Sequence, residues 1–258
     1  MNFIDKSIHE NQGNLIVDEL LERSWIADQN QYINANYEDG LCNNKYSSYN
    51  DLTNILLENQ HNNCCYCMKD ITPAETTLEH IIPHKTKTQI EFNRYLVSNQ
   101  LSNNVIYSSI FDKLTKIIPP LKYPHDVAYH NLVASCDSNS HCNHYRGNKY
   151  INTLFYDANI GEKIEYDDEG IAFSAEYIDD LAALGLSITE DLKIYRKMWC
   201  EFSKTKADAE DVTEEDIEML ALTLKGDNKF ERQLANFYGT PSKRQELLKY
   251  KWFFNYYK

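Results

Sequence analysis

Apolar positions recur at helical spacing in the first part of the chain. In the stretch NLIVDELLERSWIADQ, Leu15, Ile16 and Leu20 fall at positions that suit one helix, and Asn14 is its predicted N-cap. A second helix is predicted over SYNDLTNILLENQ, which leads into a group of cysteines. Residues 1–60 are therefore predicted to form an N-terminal helical region.

The middle of the chain changes to short stretches that are rich in β-branched residues. ETTLEHII and HNLVASC are each typical of a short strand, and SHCNHYRGNKYI is typical of a helix start. Between the two strands, residues 85–129 form a predicted insert with helical stretches and a break at Pro119-Pro120. This pattern predicts a second region over residues 61–150.

The last part of the chain first alternates and then becomes helical. FYDANIGEKIEYDDEGIAFSAEY predicts a β-hairpin whose turn spans Asp167 to Gly170. Helices are predicted from about residue 188, one of them opened by a capping box of Thr213 and Asp216. The aromatic tail LLKYKWFFNYYK predicts a last helix packed on the domain, with a partner or nucleic-acid surface as the alternative. Residues 151–258 thus form a predicted hairpin and helical region, and the chain an α+β, mainly helical fold.

The composition is that of a soluble globular protein. The chain has 258 residues, of which 42% are hydrophobic and 25% charged, and it is long enough to bury a core without disulfides. No apolar run approaches the ~18–20 residues of a membrane span, and the first residues lack the basic and apolar regions of a signal peptide. We therefore expect a cytoplasmic protein that does not enter a membrane and keeps its thiols reduced.

The net charge of −13 argues against nucleic acid as a partner, but the charge is unevenly distributed. Residues 1–79 carry a net −9 and residues 151–258 a net −8, whereas residues 80–150 carry +4 and six of the eight histidines. The positive segment thus coincides with most of the cysteines and histidines. The acidic flanks favour either a protein partner or simple solubility.

The seven cysteines form an odd and unevenly spread set, which argues against a disulfide framework: Cys42, Cys64, Cys65, Cys67, Cys136, Cys142 and Cys200. Cys64 and Cys67 have the spacing of a zinc knuckle. Cys136 and Cys142, with five residues between them, supply a predicted second half. Four thiolates would then close the long intervening loop around a structural zinc ion.

Other ligand sets and another chemistry stay open at this point. Cys65 could replace Cys64, although only one residue would then separate it from Cys67, and His141 could replace Cys142. The C-x-x-C spacing also suits a redox motif, but no βαβ pattern surrounds it. Four unconnected buried cysteines are the remaining alternative.

Glu79 and His80 form a second candidate site near the end of the first predicted strand. Successive side chains of a strand point to opposite faces, but Pro83 predicts a bend at which the two could converge. A carboxylate suits Mg²⁺, and a neutral imidazole is a good general base near pH 7. Asn131, which opens the second strand, and Asn143, which follows Cys142 at a helix start, complete the predicted constellation.

These residues occur in the order Cys64-x-Tyr66-Cys67, Leu78-Glu79-His80-Ile81-Ile82-Pro83, Asn131-Leu132-Val133, Cys136, Cys142-Asn143-x-x-Arg146-Gly147. This order resembles the HNH endonucleases, which carry the ββα-metal motif, often clamped by a four-cysteine zinc, and the resemblance covers about 64–149. Glu-His in place of Asp-His, the long insert and the C-terminal hairpin followed by helices are similar to the HNH proteins of Septu and retron anti-phage systems (the PtuB type). The resemblance implies a small zinc-clamped core embedded between N- and C-terminal helical regions.

The resemblance also implies a role for each matching residue. His80 matches the general base that deprotonates water, and Asn131 matches the residue that ties the loop and orients this base. Glu79 and Asn143 match ligands of a catalytic Mg²⁺ or Mn²⁺ ion. The cysteines that match the structural zinc ligands are Cys64, Cys67, Cys136 and Cys142.

The chain departs from the family pattern in three ways. Glu79 is one methylene longer than the usual aspartate, and the spacing from Cys136 to Cys142 is longer than usual. Five further histidines are additional to the pattern and have no assigned role: His84, His125, His130, His141 and His144.

Arg146 is the predicted contact for a substrate phosphate, and Lys149 is a weaker candidate.

The implied activity is metal-dependent hydrolysis of phosphodiester bonds in DNA or RNA. In the resembled defence systems the partner is an ABC-type ATPase (the PtuA type), and the acidic, aromatic-rich C-terminal half is the predicted docking surface. Two alternatives stand beside this prediction. One is a non-catalytic zinc module that binds nucleic acid or protein and needs neither Glu79-His80 nor Asn143, and the other is an HNH nuclease of a mobile element outside defence.

Overall fold

Helices dominate the N- and C-terminal parts of the chain, and an antiparallel strand pair lies between them. A computed structural model describes residues 1–42, 48–84, 86, 110–149, 151–152, 154–224, 232, 234 and 240–258. The helices are α1 (Glu10–Ser24), α2 (Ser48–Asn59), α3 (Cys142–Arg146), α4 (Ile160–Lys163), α5 (Ile178–Ala183), α6 (Glu190–Thr205), α7 (Glu214–Thr223), α8 (Pro241–Leu248) and α9 (Trp252–Tyr257). The strands are β1 (Trp25–Ile26), β2 (Gln31–Tyr32), β3 (Thr76–His80), β4 (Leu132–Cys136), β5 (Glu165–Tyr166) and β6 (Ala172–Phe173). The prediction of an α+β, mainly helical fold is confirmed.

The first helix begins earlier than predicted, so the assignment of Asn14 as its N-cap is wrong. α1 starts at Glu10, and Asn14 lies inside it. Gly13 also lies inside this helix. Glycine is needed at this position because the helix passes so close to Tyr129 that a Cβ atom on residue 13 would lie 2.2 Å from the ring. Glycine normally weakens a helix interior, and here the tertiary contact outweighs that preference.

The central strand pair is antiparallel, with Glu79 opposite Val133 and His80 opposite Leu132. Both strands fall where their β-branched sequences predict them, and the short helix α3 follows at Cys142. Gln60, just after α2, donates to the carbonyl oxygen of Ala134 at 2.8 Å and accepts from its amide at 2.9 Å. This amide pairing joins the end of α2 to the open edge of β4.

The predicted insert at 85–129 is described only at residue 86 and from residue 110 onward. Two short turns in its last part, Ile110–Leu114 and Pro124–Asp126, lead to the turn Tyr129–Asn131 that opens β4. The remainder of that predicted insert lies outside the described residues.

The C-terminal part packs into the same core as the rest of the chain. The predicted hairpin is confirmed as β5 and β6, and the capping box of Thr213 opens α7. Phe253 and Phe254 are buried, which confirms that the aromatic tail packs on the domain. Trp252 donates to Asn2 Oδ1 at 3.1 Å, so the last helix directly contacts the first residues.

Candidate active site and metal centre

Four cysteine thiols from distant parts of the chain meet in the core: Cys64, Cys67, Cys136 and Cys142. All four are buried, and their sulfur atoms lie within 4.8 Å of one another. The Sγ–Sγ distances are 3.7 Å for Cys64–Cys142 and for Cys67–Cys136. Four thiolates bound at ~2.3 Å to a tetrahedral zinc ion are separated by ~3.8 Å, so the thiols fit such an ion. The structure thus contains a buried four-cysteine site that could hold a structural metal such as zinc.

The surroundings of the cluster favour the thiolate form at two of the four cysteines, whereas neighbouring thiols and burial raise the pKa of Cys136 and Cys142 well above the usual value. Burial opposes ionisation, but S–H groups of neighbouring cysteines hydrogen-bond to Cys64 and Cys67. They lower the pKa of Cys64 well below its usual value and that of Cys67 to about 6. The amide of Cys136 also donates to Cys64 Sγ at 3.3 Å. Such amide donors stabilise sulfur charge in zinc knuckles.

The alternative ligands lie outside this cluster. Cys65 is buried next to it, but its sulfur is not among the four that meet. His141 directs Nδ1 to the hydroxyls of Ser138 and Ser140, at 3.0 and 2.9 Å, and Nε2 to Tyr250 at 3.4 Å. The set predicted from the two cysteine pairs is therefore the set that the fold brings together.

A cavity of about 410 Å³ lies beside β3 and α3 and is called here the β3 cavity. Its lining includes Glu79, His80 and Asn143, three of the residues predicted to carry chemistry, together with His84 and His144. Its volume falls within the range of small-molecule sites in proteins. Strand and helix thus bring Glu79, His80 and Asn143 to one cavity.

Glu79 is buried and forms an ion pair with Arg146, and its Oε1 also accepts from the Tyr66 hydroxyl at 3.3 Å. Burial raises the pKa of Glu79, while Arg146 and Tyr66 act in the opposite direction. Both of these contacts engage Oε1. The backbone amide of His80 also hydrogen-bonds to the Glu79 carboxylate.

Arg146 is itself fully buried and hydrogen-bonded to protein acceptors. Besides Glu79 it donates to the carbonyl oxygens of His80, Ile81 and Lys149 at 2.7 to 3.0 Å. It is not part of the β3 cavity lining. Its predicted contact with a substrate phosphate would require it to leave these partners, and its contacts support a structural role that fixes Glu79 and the end of β3.

Replacing Arg146 with methionine is expected to lower the free energy of unfolding by about 3–5 kcal/mol, because the change leaves Glu79 buried without its charge partner. Urea unfolding followed by circular dichroism measures the effect. Lys149→Met is the matched control, since this exposed side chain lies over the Tyr145 ring among the described residues and its loss should change stability by under about 0.5 kcal/mol. Equal stabilities of the two variants would contradict the structural role of Arg146.

His80 is held at one ring nitrogen and open at the other. Nε2 lies 3.0 Å from the carbonyl oxygen of Asp126, and the Tyr37 ring packs edge-on against the imidazole with centroids 4.4 Å apart. Burial lowers the pKa of His80 to about 3, so the ring is neutral near pH 7. A neutral ring that donates from Nε2 carries its lone pair on Nδ1. Within the described part of the chain, Nδ1 has no hydrogen-bond partner.

Asn131 lies fully buried and ties two backbone segments together. Its Oδ1 accepts from the amide of Ile82 at 2.8 Å, and its Nδ2 donates to the carbonyl oxygens of Ile82 and His125 at 3.0 and 2.8 Å. These bonds fix the chain just after His80 to the segment that carries Asp126. They support the predicted loop-tying role, in which Asn131 acts on His80 through the backbone.

Asn143 is the second residue of α3. Its Nδ2 donates to the Thr77 hydroxyl at 3.1 Å, which turns the side chain toward β3. No described residue donates to its Oδ1. The next residue, His144, pairs with Asp137 at 2.7 Å and also lines the β3 cavity.

Sequence reasoning missed three residues that shape the site: Tyr37, Tyr66 and Asp126. Asp126 Oδ2 accepts from the Tyr37 amide at 2.8 Å, which holds the segment of the chain that packs on His80. Neither residue belongs to a spaced motif, so only the fold reveals them. Tyr66 stands within the cysteine motif, where its hydroxyl had no predicted partner.

Comparison with protein families, curated proteins and solved structures finds no match for this chain. Among the described helices, none combines the length and apolar character needed to cross a membrane.

Proposed function

We propose that this protein is a metal-dependent endonuclease of the HNH type that hydrolyses phosphodiester bonds in nucleic acid. One observation carries the proposal. The buried carboxylate of Glu79 lines one cavity together with two acceptor atoms that have no hydrogen-bond partner among the described residues, His80 Nδ1 and Asn143 Oδ1. A carboxylate, an amide oxygen and a neutral imidazole are the groups that metal-assisted hydrolysis requires.

Glu79 and Asn143 are the residues that would hold a catalytic Mg²⁺ or Mn²⁺ ion. Both offer the hard oxygen donors that these ions prefer, and Mg²⁺ commonly keeps several waters beside one or two protein ligands. When bound, the ion would supply electrostatic stabilisation of charge on the scissile phosphate and the leaving 3′ oxygen. Arg146 holds Glu79 in place for this role.

His80 is the proposed general base. Its Nδ1 takes a proton from the attacking water, while Nε2 stays oriented by the carbonyl oxygen of Asp126. The ring is neutral near pH 7, so Nδ1 carries a lone pair, while the burial that lowers the pKa of His80 makes the ring a weaker base than a free imidazole. Asn131 keeps His80 and Asp126 in register, because it hydrogen-bonds both to Ile82, which follows His80, and to His125, which precedes Asp126.

The four-cysteine site is proposed to bind a structural zinc ion. Four protein ligands leave no open position for a reacting water, so this ion would stabilise the fold and take no part in hydrolysis. It would pin the turn before β3 to the end of β4 and the start of α3, which positions Glu79 against Asn143. The cysteines alone would equally suit a non-catalytic zinc module, and the β3 cavity is what favours an enzyme.

The most direct experiment is incubation of the purified, zinc-loaded protein with end-labelled DNA and RNA in the presence and absence of added Mg²⁺ or Mn²⁺. We expect internal cleavage of at least one substrate only when the divalent ion is present. Failure to cleave single-stranded DNA, duplex DNA and RNA with either ion, both alone and with a co-expressed ABC-type ATPase, would contradict the proposed activity.

The protein is further proposed to act as the nuclease of an anti-phage defence system together with an ABC-type ATPase. Its net charge of −13 opposes unaided binding to nucleic acid, which supports a partner that delivers the substrate. An acidic helix with exposed apolar residues offers a docking surface. In α7, Met219 and Leu222 are 61% and 57% exposed at adjacent turns of one face.

Changing Met219 and Leu222 together to lysine is expected to lower co-purification of a co-expressed ABC-type ATPase by about tenfold, since the interface would have to bury two unpaired charges. Pull-down followed by mass spectrometry measures the ratio of the two proteins. Ile178→Lys is the control, because Ile178 is equally exposed on another helix. Undiminished recovery of the ATPase by the double variant would rule out this docking surface.

A further inference from the structure

A second cavity, called here the Tyr32 cavity, lies next to the β3 cavity. It has a volume of about 460 Å³, and its walls come from the β1–β2 hairpin, the segment around Glu38 and the chain from Pro119 to Asp126. His84 lines both cavities, and Asp126, which orients His80, lines the second. A polymer with one unit bound in the β3 cavity would therefore have its neighbouring unit within reach of the Tyr32 cavity.

The lining of the Tyr32 cavity has the chemistry of a site for a flat, uncharged ring with N–H donors. Tyr32 and Tyr123 offer aromatic faces, and Pro119 and Pro120 offer apolar ones. Carboxylates of Glu38 and Asp39 face the same space. Aromatic side chains stack on nucleobases, and carboxylates accept from the exocyclic amino group of cytosine.

The charges make the same cavity a poor phosphate site. Three carboxylates line it, those of Glu38, Asp39 and Asp126, against one lysine, Lys122, in the described lining. Phosphate sites need an excess of cations or backbone amides. The occupant that fits is the base of a nucleotide whose phosphate lies elsewhere.

Two polar side chains in the lining have hydrogen-bonding capacity to spare. The carboxylate of Glu38 is 68% exposed, makes no hydrogen bond to a described residue and lies within ion-pair distance of His84 Nδ1, at 3.9 Å. The amide of Asn34 is likewise without a hydrogen bond to the described residues. A carboxylate and an amide can together recognise the edge of a base.

We propose that the Tyr32 cavity binds an unpaired nucleobase with an exocyclic amino group, on a nucleotide adjacent to the scissile phosphate. This proposal rests on the proposed nuclease function and specifies its substrate as single-stranded or locally unpaired nucleic acid. Base edges are accessible inside a cavity only when the base has left its pair. Glu38 accepts from the amino group, so cytosine is preferred over uracil, which carries a carbonyl at that position.

The test measures binding without cleavage, so it does not depend on the nuclease activity. Fluorescence anisotropy at low salt, without added divalent ions, follows the full-length protein binding labelled 12-nucleotide oligomers of dC, dU, rC and rU. We expect the cytosine oligomers to bind at least about fivefold more tightly than the uracil oligomers, the low end of base discrimination by such contacts. The DNA and RNA arms show which sugar is preferred, and self-complementary duplexes should bind more weakly than either single strand.

Glu38→Gln separates a specific contact from general electrostatics. Removing a negative charge strengthens binding of every oligonucleotide if charge alone matters. If Glu38 accepts from the base, the change instead weakens cytosine binding and leaves uracil binding equal or tighter. The ratio of the affinity for cytosine oligomers to that for uracil oligomers then falls to about one or below one. Glu215→Gln is the matched control, since Glu215 is exposed on α7 and is not part of the cavity lining.

Three results would overturn the proposal: equal affinity of the wild type for cytosine and uracil oligomers, tighter binding of all oligomers by Glu38→Gln, or no binding of any single strand. Cytosine preference without metal-dependent cleavage would instead refute the nuclease and leave the base site intact. Metal-dependent cleavage without base preference would instead refute the base site and leave the proposed nuclease function intact. The two proposals can therefore fail separately.

Discussion

Replacing His80 with alanine is expected to lower the rate of phosphodiester cleavage by about 10²- to 10⁴-fold, the usual contribution of a general base. The reason is that Nδ1 of His80 faces the β3 cavity, is unprotonated near pH 7 and has no hydrogen-bond partner among the described residues. Single-turnover cleavage of a labelled substrate at saturating Mg²⁺ measures the effect. A rate within about threefold of the wild type would remove His80 from the mechanism.

The experiment needs proof that the variant is folded, because His80 is buried against Tyr37. Circular dichroism and the zinc content of the purified protein should match the wild type. His61→Asn is the matched histidine control, since His61 is exposed and asparagine tolerates its left-handed backbone at φ 53°. We expect this control to cleave at the wild-type rate.

Replacing Cys67 with serine is expected to remove the bound zinc and to lower the melting temperature by roughly 10–20 °C, or to prevent folding at 37 °C. Serine keeps the size of the side chain but loses the thiolate, so three ligands remain. Structural zinc contributes directly to folding, and a loss of about 4–5 kcal/mol suffices for such a shift in a chain of this size. Elemental analysis and a thermal melt measure the two effects together.

Cys65→Ala is the matched control for this second prediction. Cys65 is buried like Cys67, but its sulfur lies outside the four-thiol cluster. It should retain about one zinc ion per chain and lose only about 1 kcal/mol of stability, as expected for a small buried side chain. Loss of zinc from Cys65→Ala together with retention by Cys67→Ser would overturn the ligand assignment.

The parts of this fold that the sequence predicts well are those set by local patterns. Strands β3 and β4 follow from β-branched residues, and the turn of the β5–β6 hairpin follows from Asp167 to Gly170. The capping box of Thr213 marks the start of α7, since both partners lie within one turn. The cysteine spacing likewise predicts the four thiols that meet.

Features that depend on contacts between distant residues escape such patterns. The start of α1 is one of them. The helix extends over Gly13 despite the low helix propensity of glycine, and the reason for a glycine there is its close packing on Tyr129. The orientation of His80 by Asp126 is another, as 46 residues separate them and no spacing rule links them. Arg146 shows the same limit: its sequence position suggests a phosphate contact, while burial against Glu79 and three backbone carbonyls supports a structural role.

The central claim is that water, activated at His80, breaks a phosphodiester bond beside Glu79 and Asn143. Cleavage of labelled DNA and RNA in ¹⁸O-enriched water, followed by mass spectrometry of the product ends, tests this claim most directly. The account predicts a 5′-phosphate that carries one ¹⁸O atom, a free 3′-hydroxyl and no such product from His80→Ala. A 2′,3′-cyclic phosphate on RNA, unlabelled ends, or no divalent-ion-dependent cleavage at all would contradict it.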